Sequence, residues 1–436
     1  MFPNLNSLRI SGADVLPLIE GGKGVSITTG ASSGAWAAAG GVGTFSGVNA
    51  DSYDKKGNII KQTYSGKTRI DRHEELVNYA IEGGVAQARV AHEASINKGR
   101  LHVNILWEMG AAEKVLLGIL EKAGELIHGV TCGAGMPYRL GDISAKFGIF
   151  YYPIISSARA FKILYKRAYI RSTEWLGGVV YEDPWLAGGH NGLSNNEDPS
   201  NPELPLPRVI DLRKAMSSVG LAETPIIMAG GVWHLRDWID WIDNKDIGPI
   251  AFQFGTRALL TRESPIPEKW KKKLLTIKKD DVLLHRFSPT GFWASAVKNS
   301  FIKELMQRGK RQLKTSLFKE KNANVAVETG KSRRRIYYFS KEQIPDAVDV
   351  LEILIKSSPG DALLFNIIGG CYAALGEVDM SIQNYEKALA LKPDYAIPQH
   401  MINSLTGNTS KEPPKEYLKN LFDDYAQRFN DSLVEK

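Results

Sequence analysis

The residues able to do chemistry gather in a few short, glycine-bearing stretches. His190 closes Ala187-Gly-Gly-His190 and lies on a loop after an apolar run, not on a helix face. An imidazole titrates near neutral pH, so a histidine placed there suits proton removal from a weak carbon acid beside an electron acceptor. A hydrogen-bonding role is the alternative. The other histidines sit differently: His73 and His92 fall on helical patterns, His102 and His128 within strand-like runs, and His234 at a helix start. Those five read as structural, and His285 and His400 lie outside the strand-end set. Gly230-Gly231 and Gly255-Thr256 come after two consecutive apolar runs. Absent side chains let backbone N–H groups approach phosphate oxygens, Thr256 adds a hydroxyl, and a helix beyond the turn would point its positive end toward an anion. Tight turns alone would also explain such pairs. Cys132 and Cys371 are far apart and without metal-ligand spacing, so neither a disulfide framework nor a metal centre is expected.

These residues need elements to position them. Short apolar, β-branched runs occur at 24–29, 43–48, 101–106, 126–131, 149–155, 178–182, 225–229 and 249–254, with helical patterns at 72–97, 111–123, 157–168 and 208–219 between them. Runs apolar at nearly every position suit parallel strands covered by helices. About eight β-α units predict a (β/α)8 TIM barrel, with a doubly wound open sheet as the other architecture. Either one binds ligands at the carboxyl ends of its strands. The residues found there are Thr29-Gly-Ala-Ser32, Asn104 and Glu108, Cys132-Gly-Ala-Gly-Met-Pro137, Ser156-Ser157, Glu182-Asp183 with the His190 loop, and the two glycine-bearing turns.

Taken together, Val180-Tyr-Glu-Asp-Pro-Trp-Leu-Ala-Gly-Gly-His-Asn-Gly192, Ile226-Ile-Met-Ala-Gly-Gly-Val232, Phe252-Gln-Phe-Gly-Thr-Arg257 and the 132–137 loop resemble the FMN-dependent nitronate monooxygenase (2-nitropropane dioxygenase-like) family. The motifs run in family order over roughly residues 15–300. The resemblance implies an FMN cofactor whose phosphate is held by Gly230, Gly231, Gly255 and Thr256, with Gly189, Asn104 and Gln253 near the ribityl chain or ring. It makes His190 the active-site histidine. It implies oxidation of a nitronate or nitroalkane with O2 to a carbonyl compound and nitrite. Departures occur in the first unit, Leu16-Pro-Leu-Ile-Glu-Gly-Gly-Lys-Gly24, where the family commonly has a short proline-methionine opening, and in Trp107-Glu108 and Trp185, bulky groups expected near the rim. Flavin enoyl reductases share the barrel motifs, so NAD(P)H-dependent reduction is the other enzymatic reading. A non-catalytic barrel with a peptide-binding tail is the non-enzymatic one.

The chain has 436 residues, 43% hydrophobic and 24% charged, which suits a soluble two-part protein. It shows neither a membrane-length apolar run nor a signal-like start, and a cytoplasmic location is expected. All nine Trp and 34 of the 41 Gly precede residue 300, so the body at 1–300 differs in construction from the rest of the chain. The net charge of +7 concentrates in the connector at 301–340: from Lys298 to Arg335 there are twelve Lys or Arg against three Glu. Few aromatics accompany them, so a solvated face is expected and no nucleic-acid partner. Residues 341–410 fit one and a half tetratricopeptide-like repeats. Phe365, Ile368, Gly369 and Tyr372 fall on one helix, Ser381, Tyr385 and Ala388 on the next, and Pro393 ends it. A protein partner or self-association through this tail is expected, because so few repeats leave apolar faces uncovered. A last helical segment is expected at 411–436.

Overall fold

The computed structural model describes residues 5–194, 196–286, 292–310, 325–329, 334–338, 348, 351–352, 355–356 and 358–408. The chain divides into two compact units, 1–303 with 329–334, and 304–328 with 335–436.

In the first unit, eight parallel strands close into a barrel: β1 (Leu18–Glu20), β2 (Val42–Ser46), β3 (Arg100–Leu106), β4 (Gly129–Gly133), β5 (Phe150–Ile155), β6 (Val179–Glu182), β7 (Ile226–Ala229) and β8 (Ile250–Phe254). Every residue of β2, β4 and β7 is buried, as strands covered on both faces require. The ring closes where Phe252 of β8 pairs with Leu18 of β1, and Ile19 in turn pairs with Val42 of β2. Six helices, α1 (Gly30–Ala38), α2 (Arg69–Ser95), α3 (Ala112–Ala123), α4 (Leu140–Phe147), α5 (Ala158–Arg167) and α6 (Pro205–Ser217), come after successive strands. On α3, Val115, Leu116, Ile119 and Leu120 form one buried stripe, each side chain worth about 1.5–3 kcal/mol when removed from water. This settles the architecture as a (β/α)8 barrel, not an open sheet.

The first strand is not the expected one. Residues 24–29 form a loop, and the strand is the three-residue Leu18–Glu20 just before it. The residue types that make Thr29-Gly-Ala-Ser32 resemble a ligand rim have another use. Thr29 caps α1 by accepting from the Ser32 N–H, and the Gly30 N–H donates to Gln87 Oε1 at 2.6 Å. A Cβ at Gly30 would stand 2.3 Å from the Gln87 carbonyl, so the glycine lets α1 lie directly on α2.

The amino-terminal end of the barrel is plugged. A hairpin of Leu8–Ile10 and Ala13–Val15 turns at Ser11, whose N–H donates to Tyr152 Oη at 2.9 Å and whose hydroxyl meets His102 Nε2 at 2.9 Å. Tyr152 stacks on His102 with ring centroids 4.5 Å apart. Ile10, Val15, Ile19, Val42, Val180, Ile227 and Ala251 complete this interior core.

In the second unit, α7 (Ala362–Leu375) and α8 (Val378–Leu391) form a helical hairpin, and α9 (Ala396–Leu405) comes after it. The residues assigned from sequence to the two paired helices fall on α7 and α8. A Cβ at Gly369 would stand 2.9 Å from the Tyr385 ring, and Ser381 Oγ donates to the Gly369 carbonyl at 2.7 Å, so small residues set the close approach. The segment at 411–436 lies outside the described residues. Among the described residues, no helix is long and apolar enough to cross a membrane.

Candidate active site

A cavity of about 680 Å³ opens at the carboxyl end of the barrel. Its lining brings together the eight residues that the family resemblance assigns to cofactor and catalysis: Asn104 from β3, Gly189 and His190 from the loop after β6, Gly230 and Gly231 after β7, Gln253 from β8, and Gly255 and Thr256 just beyond it. The strand-end residues Thr29–Ser32, Met136, Pro137, Ser156, Ser157 and Asp183 are not part of it. Gly133 and Ala134, from the loop after β4, also line it. Trp107, Glu108 and Trp185, expected near the rim, do not. The Trp185 indole instead donates to the Asp198 carbonyl at 2.9 Å, and Arg208 packs over its ring. Trp233 is the tryptophan that faces the cavity. A neighbouring hollow of about 550 Å³, beneath the 47–67 excursion and against α2, shares only Val25 with it and holds none of these eight residues.

The turn after β7 needs its glycines. Gly230 and Gly231 have φ of 94° and 73°, and a Cβ on Gly230 would stand 3.0 Å from the Ala187 nitrogen. Asp183 stands behind this turn: its N–H donates to the Ala229 carbonyl, and its Oδ1 accepts from the Trp185 and Leu186 N–H groups at 3.0 and 2.9 Å. Expectation and structure differ over the segments beyond the two turns. Short 3-10 segments, Leu235–Trp241 and Arg257–Leu260, take the place of α-helices, so a full helix dipole does not point at the site. An anion there would meet turn N–H groups and the Thr256 hydroxyl.

His190 is held by a feature that the sequence pattern does not announce. Gly189–His190 form a two-residue strand against Ala294–Val297, which pairs in turn with Val282–His285. The Asn191 N–H donates to the Trp293 carbonyl at 3.0 Å, and Ser156 Oγ donates to the Gly192 carbonyl at 2.8 Å. Arg208 braces the same excursion through ion pairs to Glu197 at 2.7 Å and Glu203 at 2.6 Å. Strand pairing therefore fixes a histidine that the loop alone would leave loosely placed. Burial lowers the His190 pKa, which keeps the imidazole neutral and able to accept a proton at neutral pH.

Two further ionisable groups line the cavity, Glu182 at the end of β6 and Lys23 after β1. Burial, with the nearby Asp183 carboxylate, pushes the Glu182 carboxyl up to about 8, so it is protonated at neutral pH. Burial lowers Lys23 to about 8, against the opposing pull of Glu20. In the sequence, Lys23 is legible only as part of the unusual Leu16–Gly24 stretch. A three-residue strand leaves too short an apolar run to mark its end as a rim position. Next to it, a Cβ at Gly22 would stand 2.3 Å from Asn104 Cβ, so the bare backbone there is what lets Asn104 face the cavity.

Whether a flavin fits can be judged from the cavity wall. A Cβ on Gly188, Gly189 or Gly255 would meet no atom within 4 Å, so these backbones border open cavity space, and Asn104, Gln253 and Thr256 supply amide and hydroxyl groups around it. A concave, largely apolar site with a few convergent polar groups suits a planar ring with a polar tail. Among the described residues, no group of His, Cys, Asp and Glu is arranged to hold a metal ion.

A family model described as nitronate monooxygenase matches residues 10–344. No curated protein matches the chain. Among solved structures, the chain is similar to nitroalkane oxidase from Streptomyces ansochromogenes, with a TM-score of 0.48 and 16% identity over 69% of this chain and 79% of that one. It is also similar to FabK from Thermotoga maritima, with a TM-score of 0.44 and 19% identity over 66% and 73%. A third is the enoyl reductase domain of MlnA from Bacillus amyloliquefaciens, with a TM-score of 0.45 and 13% identity over 91% and 83%.

Proposed function

The chain belongs to the nitronate monooxygenase family, and on that premise we propose that it is an FMN-dependent oxidoreductase that oxidises alkyl nitronates with O2 to a carbonyl compound and nitrite. The observation that carries this reading is the neutral, strand-pinned His190 in the same cavity as the glycine turns after β7 and β8. Gly230, Gly231, Gly255 and Thr256 would hold the FMN phosphate through turn N–H groups and one hydroxyl. Asn104, Gln253 and Gly189 would border the ring or ribityl chain. When bound, the flavin supplies the electron acceptor and the reaction with O2.

The chain's own residues do the rest. His190 accepts the α-proton of a neutral nitroalkane at an imidazole nitrogen, or orients a nitronate that arrives already ionised. Ile105, Leu106, Ile154, Leu186 and Leu259 give the cavity an apolar wall that holds the alkyl part and excludes water. Protonated Glu182 adds a neutral hydrogen-bond donor without opposing an anionic substrate. The test is oxygen uptake with alkyl nitronates, run beside oxidation of NADH and NADPH. Nitronate-dependent uptake with nitrite release is expected. NAD(P)H oxidation driven by an enoyl substrate, without nitronate turnover, would replace this reading with the reductase one.

A further inference from the structure

We infer that Lys23 receives the anionic head of the substrate, so that the cavity selects small organic anions with two oxygens, nitronates and carboxylates, over neutral analogues of the same shape. This inference deepens the reading above and rests on it only for the identity of the natural substrate.

The Lys23 ammonium has donors to spare. Its Nζ donates one hydrogen bond, to the Gly21 carbonyl at 2.6 Å. Its ion-pair partner Glu20 is 3.9 Å away, beyond hydrogen-bond reach, and accepts instead from Ser33 Oγ at 3.1 Å. An ammonium has three N–H donors, so two have no acceptor among the described residues. On a side chain that is 18% exposed and lines the cavity, those donors are within reach of a ligand that supplies acceptors.

The direction of the pair is set by burial. The Glu20 side chain is 3% exposed and does not line the cavity, whereas Lys23 is 18% exposed and does. The pair therefore presents its positive end to the cavity and keeps its negative end behind β1. A carboxylate or nitronate oxygen placed there meets a cation at the cavity wall, where a charge-assisted hydrogen bond is stronger than a neutral one.

The backbone that carries the ammonium is also held in place. The Lys23 N–H donates to Thr28 Oγ1 at 2.9 Å, while the Thr28 N–H and hydroxyl both donate to the Lys23 carbonyl at 3.2 Å, closing the 23–28 loop on itself. Thr28 is fully buried. Gly22, the preceding residue, lies against Asn104. Little order remains to be imposed when an anion binds.

The groups facing Lys23 are Glu20 from β1, and Glu182 and His190 across the cavity, which among the described lining residues are the only other ionisable ones. As pH rises through about 8, Lys23 loses its charge and Glu182 gains one. Both changes disfavour an anion, so affinity falls in that window, whereas His190 is already neutral below it.

The experiment uses the full-length flavin-loaded protein and its Lys23→Met and Lys23→Arg variants. Binding of propanoate and of propanamide is measured by calorimetry from pH 6 to 9, with flavin content and the KM and kcat for propyl-1-nitronate measured in parallel. The wild type should bind propanoate, more weakly above pH 8, and propanamide at least about tenfold less tightly. Lys23→Met should lose roughly tenfold to a hundredfold in propanoate affinity, with a matching rise in KM, an unchanged affinity for propanamide and retained flavin. Lys23→Arg should recover part of the loss. A wild type that ignores propanoate, or a Lys23→Met variant that binds it normally, would overturn the inference. Loss of flavin in step with anion affinity would overturn it too, by assigning the ammonium to the cofactor. If propanoate binds through Lys23 but no nitronate is turned over, the inference stands and the nitronate reading falls.

Discussion

The two ends of the barrel use similar residue types in opposite ways. At the amino-terminal end, Ser11, His102 and Tyr152 look like parts of a catalytic centre, yet each polar group meets another and the hairpin seals them from solvent. Burial, with His128 and Arg100 close by, drives the His102 pKa down to about 3, which fixes it as a neutral hydrogen-bonding ring. At the carboxyl end, His190, Lys23 and Glu182 surround an open cavity, and Lys23 keeps donors in reserve. Residue type therefore does not separate a plug from a reaction site. The difference is whether the groups are sealed against one another or line an open cavity.

The largest expected effect tests that contrast directly. His190→Asn should keep flavin and lose about a hundredfold to ten-thousandfold in turnover of a neutral nitroalkane, with a smaller loss on the preformed nitronate, which needs no deprotonation. Steady-state kinetics on both substrates read this, and equal losses would make His190 an orienting residue, not a base. His102→Asn at the sealed end should leave kcat unchanged and lower stability by about 1–3 kcal/mol, seen in denaturant unfolding, because it removes the ring on which Tyr152 stacks and one of the two partners of the Ser11 hydroxyl. A large loss of turnover in His102→Asn would break the contrast.

Gly22→Ala comes next. Its new Cβ must displace Asn104 or the loop backbone, at a cost of about 1–3 kcal/mol, and flavin occupancy should drop, as measured from the absorbance of the purified variant.

A smaller effect concerns pH and stability. Glu182 has a folded-state pKa near 8 against an ordinary 4.5, so its contribution is fully present below about 4.5 and is lost as pH rises through 8. Lys23, held near 8 against an ordinary 10.5, disfavours the folded state at a constant level below that pH, so it does not shape the 4.5–8 window. Glu182→Gln should therefore flatten the decline in melting temperature between pH 5 and 8. A variant with the same slope as the wild type would show that the carboxyl ionises freely in the cavity.

The smallest effect on catalysis is expected from removing the second unit. The cavity residues all precede residue 260, and the strands that pin His190 end at Val297. A chain ending at Lys310 should stay folded, flavin-bound and active, whereas one ending before Val282 should lose turnover. Sedimentation of the 310-residue chain against the full one reads whether the helices assemble subunits. Lost flavin in the longer truncation would contradict a self-sufficient barrel.

These contrasts also explain what could be read in the sequence. Strands such as β2, β4 and β7 are buried on both faces and so appear as unbroken apolar runs, and the glycine turns announce themselves because positive φ at 230 and 231 selects glycine. His190 stands out as the histidine on a glycine-rich strand-end loop. The first strand is misplaced in the sequence pattern because Leu18–Glu20 is too short to show a run and ends in a buried acid. Glu182 is legible as a strand-end residue but its raised pKa is not, and Lys23 carries no local pattern, since what sets both apart is burial by elements distant in sequence. The strand pair that pins His190 is hidden for a similar reason: Val282–His285 and Ala294–Val297 come after the last barrel strand, where periodicity suggests nothing about a partner a hundred residues earlier.

A carboxyl-end cavity that holds flavin mononucleotide must give that cofactor up when the purified protein is denatured, and chromatography of what is released identifies it. Stoichiometric FMN is expected, because the turns after β7 and β8 suit a single phosphate and the sequence has no Gly-x-Gly-x-x-Gly strand-turn-helix unit for a dinucleotide. Release of FAD, or of no flavin from protein that is folded and loaded under flavin-replete conditions, would contradict it.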